Sequence, residues 1–342
     1  MTKIISIFNN KGGVGKTTLV WNISDTLARK GKRVLMIDFD PQCNLSIAVL
    51  GQDSFTKTLP TENVPYGTTV RAYLQRFLQN TGGFEFFSHH GEHTEQNAEL
   101  VAGDFWLNVY AESLSVGADL LTGTGIVKYA VLKDMIEFAN DKNGVDYDYA
   151  VIDLPPSFGA LVRAALYASD YFIVPCTSDT FSSYCIGLIG DMMPIFIRDW
   201  KSGYKRFEDS NPQLTKYHGL GAPKFAGWIF NGFDTRGGDY VKADRIHADN
   251  ISQSVKTEII GNQDIEVAEN LPANYMLGDT EDMNVLIQNS IWQSVPVSQL
   301  AHFRPLKTLQ NKGSWARNQL SQIELLDKKF EGIADNIILS CV

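Results

Sequence analysis

Cysteine is scarce in this chain, and none of the four (Cys43, Cys176, Cys185, Cys341) stands in a CxxC or other metal-type spacing. That excludes a zinc ribbon and a CxxC redox centre, and the thiols read as reduced side chains of a cytosolic protein. Long apolar runs are missing too: none approaches the roughly 18–20 residues of a membrane span. The opening "MTKIISIFNN" offers a stretch of only five residues, IISIF, before it turns polar, too little for a signal peptide. Positive charge is in deficit, with a net −9, so the chain is not coated in nucleic-acid-binding surface, although a local basic patch remains open to it. What is present is 342 residues with 44% apolar and 20% charged side chains, enough for a large core and the size of an α/β fold with peripheral insertions.

The densest chemical signal is "NNKGGVGKTT" at residues 9–18. Before it, Ile4–Phe8 is a short run rich in β-branched residues and reads as a buried parallel strand. After it, Leu19, Ile23 and Leu27 fall on one helical face, and Gly31 stops the helix. Strand, glycine loop and helix together make a phosphate site. Gly12, Gly13 and Gly15 let backbone N–H groups converge on oxygen, and the helix N-terminus adds partial positive charge. Lys16 would neutralise the β- and γ-phosphates, and the Thr17 hydroxyl would reach Mg²⁺. The usual GxxxxGK[ST] pattern is broken, however. Asn10 stands where its first glycine belongs, and a second lysine, Lys11, follows.

The form KGGVGKTT resembles the deviant phosphate loop of the ParA/MinD family of ATPases. The resemblance implies an α/β fold, a single doubly wound and mostly parallel sheet with helices on both faces. It also implies ATP and Mg²⁺ as ligands, bound at Lys11, Gly12, Gly13, Val14, Gly15, Lys16, Thr17 and Thr18. In that family the extra lysine reaches the nucleotide of the other subunit, so Lys11 would serve a twin copy and ATP would pair two chains. The plain alternative is a solvated lysine beside an ordinary loop. "DFDPQCNLS" (38–46) is similar to the family's first switch, with Asp40 orienting the attacking water and Asp38 supporting the magnesium shell. Cys43 departs from it, because the family commonly has glycine there; either the side chain alters the backbone or the position accepts a negative φ. "YDYAVIDLPPSFG" (147–159) resembles the second switch, which makes Asp153 a magnesium residue. "KFAGWIFNGFD" (224–234) reads as a strand ending in Asn231, where the family sets an asparagine against adenine. These motifs span residues 4–234, with "AELVAGDFWL" (98–107) also similar to a family segment.

Outside the motifs the chain is its own. Residues 49–97 form a polar insertion with a helix expected over 68–79. It also carries His89 and His93 at i, i+4, a spacing that suits a metal on a helix, although Gly91 argues for a partner-facing loop. "RDWKSGYKRF" (198–207) interleaves bases and aromatics, either as a nucleic-acid track or as a helix end with buried rings. From Met283 to Ile323 there is no Asp or Glu, while Arg304, Lys307, Lys312 and Arg317 all occur. Such a patch would bind DNA weakly, without sequence preference and in a salt-sensitive way, and two ATP-clamped copies would double it. The last segment, 314–340, reads as an amphipathic helix. Its residues 319–342 carry four acids against Lys328 and Lys329, so packing on the protein is expected rather than membrane binding.

The expectation is therefore one ParA-like domain over 1–342, with the insertion at about 49–97 and a helical region at about 283–342. The resemblance implies a cytoplasmic ATPase, nucleoid-associated when ATP-bound, acting in plasmid or chromosome partition or cargo positioning with a ParB-like stimulating partner. The alternative is an ATP-gated regulator of a protein complex without DNA binding. An iron-protein-like electron donor on this scaffold would need cysteines that bridge two subunits, and Cys176 and Cys185 lack that setting.

Overall fold

The computed structural model describes residues 1–79, 83–117, 119–144, 146–236, 239–307 and 313–342. Seven strands form one parallel sheet: β1 (Lys3–Ile7), β2 (Val34–Asp38), β3 (Ala98–Val101), β4 (Tyr149–Asp153), β5 (Tyr171–Thr177), β6 (Lys224–Phe233) and β9 (Met276–Glu281). Their order is β3-β2-β4-β1-β5-β6-β9, while β7 (Thr235–Arg236) and β8 (Asp239–Tyr240) make a small antiparallel ladder. Every residue of β2 and β4 is buried, as continuous apolar strands covered on both faces must be.

Helices cover the two faces. On one lie α1 (Lys16–Arg29) and the final helix (Arg317–Ser340), burying Val20, Trp21, Leu27, Phe330 and Ile333 against the sheet. On the other lie the helices Val131–Asn143, Ala160–Ala168 and Thr180–Ser210, around Ile136, Leu166, Ile189 and Trp200. This is the expected doubly wound sheet. Its registers decide what meets at the strand ends: Ile7 and Asp38 both pair with Asp153, Thr177 pairs with Asn231, and Asn231 pairs with Thr280. Ligands of open parallel sheets sit at these carboxyl ends.

Several local expectations shift. The first strand starts and stops one residue earlier than Ile4–Phe8, and β6 runs past Asn231 to Phe233. The helix expected over 68–79 is two short helices, Val70–Leu74 and Arg76–Gln79, meeting at Gln75. The final helix begins at Arg317, so Trp315 precedes it; its indole N–H donates to the carbonyls of Leu300 (3.3 Å) and Phe303 (2.7 Å). The helix packs on the body as expected, through its buried stripe Ile323, Leu326, Phe330, Ile333 and Ile337 and ion pairs from Asp327 to Arg29 and from Asp335 to Lys30.

One other reading is corrected and one is decided. No helix forms at His89–His93: His89 instead bridges Leu100 antiparallel at the sheet edge, and its Nε2 lies 2.7 Å from the Thr68 carbonyl. His93 packs on the Phe303 ring, centroids 4.7 Å apart, so the pair does not converge on a metal. The insertion is thus joined to the sheet edge at His89. The basic–aromatic stretch 198–207 takes the second of its two expected forms, a helix with buried rings. It lies in the helix Thr180–Ser210 with Trp200 and Phe207 buried and Tyr204 stacked on Trp200. That helix is long and apolar enough by composition to cross a membrane, but here Ile186, Ile189, Met193 and Ile197 are buried in the fold.

Candidate functional site

The glycine loop follows β1 and opens α1 as the motif demands. Gly13 and Gly15 adopt φ of +74° and +80°, where a β-carbon is strained. Gly15 has a second reason to be glycine: an added β-carbon would lie 2.3 Å from the Asn231 amide nitrogen. Asn231 is held there by its own bonds, since Nδ2 donates to the Val14 carbonyl (2.9 Å) and Oδ1 accepts from the Thr280 hydroxyl (2.6 Å). One side chain therefore ties the loop to β6 and β9. Beside it opens a cavity of about 300 Å³ lined by Gly13, Thr18, Asn231, Met283, Ile287 and Phe330, among others.

Lys16 is buried at the loop mouth, its ammonium donating to the carbonyls of Asn9 (3.2 Å) and Lys11 (3.0 Å). Burial pushes its pKa down, and the carboxylates of Asp153 and Asp40 pull it back up. The Thr17 hydroxyl donates to Asp153 Oδ2 at 2.7 Å. The other Asp153 oxygen is buried without a hydrogen-bond partner. Burial raises the Asp153 carboxyl to about 8, with the Asp38 charge adding to it, and raises Asp38 to about 7, with the Asp40 charge adding there. Two buried acids with one oxygen orphaned ask for a cation.

That arrangement fits Mg²⁺ with an incomplete protein shell. Among the described residues no three His, Cys, Asp or Glu side chains gather as a metal cage. Mg²⁺ bound with a nucleotide commonly takes only one or two carboxylates, its other ligands being phosphate oxygens and water. Asp38, expected to support the magnesium shell, also organises its own segment. Its Oδ2 accepts from the Ser46 N–H (2.8 Å) and hydroxyl (2.6 Å), and its Oδ1 from the Asp40 N–H (3.3 Å). Those bonds fold the switch segment back on β2. Asp40 is buried beside it, raised mainly by burial and bonded from the Gln42 N–H at 2.9 Å. Cys43, three residues after Asp40, takes φ +56°. The chain thus keeps the left-handed turn that glycine would give, and a negative φ is ruled out.

The structure brings together residues that the sequence left unmarked. The Asn9 side chain donates to the Pro175 carbonyl (2.7 Å) and accepts from the Lys11 N–H (2.9 Å), stitching the loop to β5. Lys11 turns its ammonium toward Thr177 and Asp179. An asparagine pair just before a glycine loop was the only signal for Asn9, as a side chain that bonds nearby backbone. Arg304, Lys307 and Arg317 are exposed and, among the described residues, without an ion pair; Lys312 lies outside the described residues. The segment between Arg304 and Lys307 is pinned where the Leu306 N–H donates to Asn289 Oδ1 (2.7 Å), on the helix Asn284–Gln293.

Comparison with known proteins agrees with this geometry. The AAA domain family matches residues 2–201, more than half of the chain. The chain belongs to the ParA-type P-loop ATPase family. It is 32% identical over 183 residues to the sporulation initiation inhibitor protein Soj of Bacillus subtilis, covering 53% of this chain and 61% of Soj. The chromosome partitioning protein ParA of Caulobacter vibrioides is 30% identical over 181 residues, covering 53% of this chain and 58% of that one. The chain thus spans less than two thirds of these ParA-type relatives. Among solved structures, an ATP complex of Cyanothece McdA aligns over 99% of this chain and 97% of its own, with TM-score 0.60 and 17% identity, a likeness of fold.

Proposed function

We propose that this chain is an ATP-driven switch of the partition type: it binds ATP with Mg²⁺, pairs with a second copy, and hydrolyses the nucleotide slowly under the control of a partner protein. One observation carries the reading, the Thr17–Asp153 hydrogen bond beside an orphaned Asp153 oxygen at the mouth of a loop with two lysines. Gly12 to Thr18 would cradle the phosphates, with Lys16 as the main counter-charge. Thr17 and Asp153 would hold Mg²⁺, which when bound neutralises charge on the β- and γ-phosphate oxygens. Asp40 would orient the attacking water, and Asp38, through Ser46, would keep the segment carrying Asp40 in place. Asn231 and the cavity beside it would receive the base.

Lys11 would reach the phosphates of the twin, where a cation supplied from outside contributes on the order of 10³–10⁵ in rate. The paired form would carry two copies of the exposed cations Arg304, Lys307 and Arg317, placing the ATP state on nonspecific DNA in the cytoplasm. The relatives named for chromosome partitioning support this choice, as does the ATP held by McdA. The test is sedimentation with random-sequence DNA, with and without a non-hydrolysed ATP analogue, over a salt series. Binding that needs the analogue and weakens steeply with salt is expected; equal binding in both states removes the DNA step.

A further inference from the structure

Lys11 is engaged within its own chain. Its ammonium donates to the Thr177 hydroxyl (2.8 Å) and to Asp179 Oδ2, and the Thr177 hydroxyl donates to that same carboxylate oxygen (2.7 Å). The second Asp179 oxygen has a separate duty. It caps the helix Thr180–Ser210, accepting from the N–H groups of Phe181 (2.9 Å) and Ser182 (3.1 Å). The carboxylate is therefore fixed from one side by the helix and aimed from the other at Lys11. Burial pushes its pKa up, but the hydrogen bonds from Lys11 and Thr177 outweigh it and hold Asp179 below the ordinary range.

The contact is not sealed. The Lys11 and Asp179 side chains are 21% and 38% exposed, and the next helical turn presents Phe181 and Tyr184 to solvent. The Lys11 backbone is held by Asn9 and by Lys16, so only the flexible four-carbon stem has to swing for the ammonium to leave.

We propose that Asp179 is a latch acting in cis: it holds the Lys11 ammonium on its own chain and sets the threshold at which that charge passes to the nucleotide of a second copy. The proposal rests on the reading that Lys11 serves the twin. An ammonium has three protons and here two of them are bonded, so crossing to a triphosphate first breaks this pair. The triphosphate carries more charge than one carboxylate and wins when it is within reach. The cis pair then weakens pairing without preventing it. Half-exposed ion pairs of this kind shift an equilibrium by about two- to fivefold, so the two latches of a symmetric pair shift it by about four- to twenty-fivefold. Asp179 would be a positioning residue and would not touch the reacting atoms.

Asp179→Asn and Asp179→Ser both keep an oxygen for the helix cap and remove the charge. With the full chain, Mg²⁺ and a non-hydrolysed ATP analogue, light scattering over a concentration series gives the midpoint of pairing. Both variants are expected to pair at about four- to twenty-fivefold lower concentration than the natural chain. In the Lys11→Ala background, where pairing is expected to be lost, the same substitutions are expected not to restore it, because the gain passes through the Lys11 ammonium. A midpoint that stays put or rises in Asp179→Asn, while Lys11→Ala abolishes pairing, overturns the latch alone. If Lys11→Ala pairs like the natural chain, or if no chain pairs with the analogue, the reading of Lys11 itself is overturned.

Discussion

Asn231 lies over Gly15 so closely that a β-carbon on the glycine would come within 2.3 Å of the amide nitrogen. Gly15→Ala should therefore lose more than the about 1–2 kcal/mol that a left-handed alanine costs. Adding Asn231→Ala should recover part of that loss, although Asn231→Ala alone leaves Val14 and Thr280 unpartnered and costs about 1–3 kcal/mol. Urea denaturation of the four chains measures the coupling. Strictly additive losses would mean that the contact carries no weight.

Cys43 is buried at φ +56°, a conformation that favours glycine. Cys43→Gly and Cys43→Ala both remove the thiol, and they differ in their ease of adopting this turn. The glycine variant should be the more stable by about 1–2 kcal/mol. Equal midpoints in denaturant would show the turn to be unstrained.

Burial raises the carboxyls of Asp38 and Asp153 from the ordinary 3.8 to about 7 and about 8. Between those values the folded chain keeps protons that the unfolded chain has lost. Stability without nucleotide should then fall as pH rises from about 4 to about 8 and level off above that. Asp153→Asn should flatten the fall, as should Mg²⁺ with ADP, because a cation favours the charged carboxylates. Calorimetry across that range reads both effects. A natural chain that gains stability with pH, or a slope unchanged in Asp153→Asn, would contradict the assignment.

Phe330 is 2% exposed, belongs to the core beneath the final helix and also lines the cavity beside Asn231. Phe330→Ala should cost about 3–5 kcal/mol and loosen ADP binding. Denaturation and fluorescent-ADP titration check the two halves. A loss below about 1 kcal/mol would place the helix outside the cooperative fold.

What could be read from the sequence was what the chain writes locally. The loop at residues 9–18, the strand ends at Asp38 and Asp153 and the apolar period of α1 each lie in one short window, and each stands where it was expected. Trp315 was read as part of the final helix because its spacing fits the stripe, yet it precedes that helix and its indole donates to the backbone carbonyls of Leu300 and Phe303. His89 and His93 had a metal spacing only on a helix that the β-bridge to Leu100 displaces. Thr177 and Asp179 were beyond reach for a different reason. Their meeting with Lys11 depends on β5 lying beside β1, a pairing across more than 160 residues that no local pattern encodes.

The helix Asn284–Gln293 ends on two different matters. Asn284 and Ile287 form part of the cavity wall beside Asn231, while Asn289 grips the backbone between the exposed Arg304 and Lys307. The two contacts lie within five residues of one helix, about 7.5 Å along its axis. A load applied to the segment 304–307 would reach the cavity wall through that short span, and a change at the wall would bear on the segment in return. Any polyanion gripping the outside and any base filling the inside would lean on the same beam.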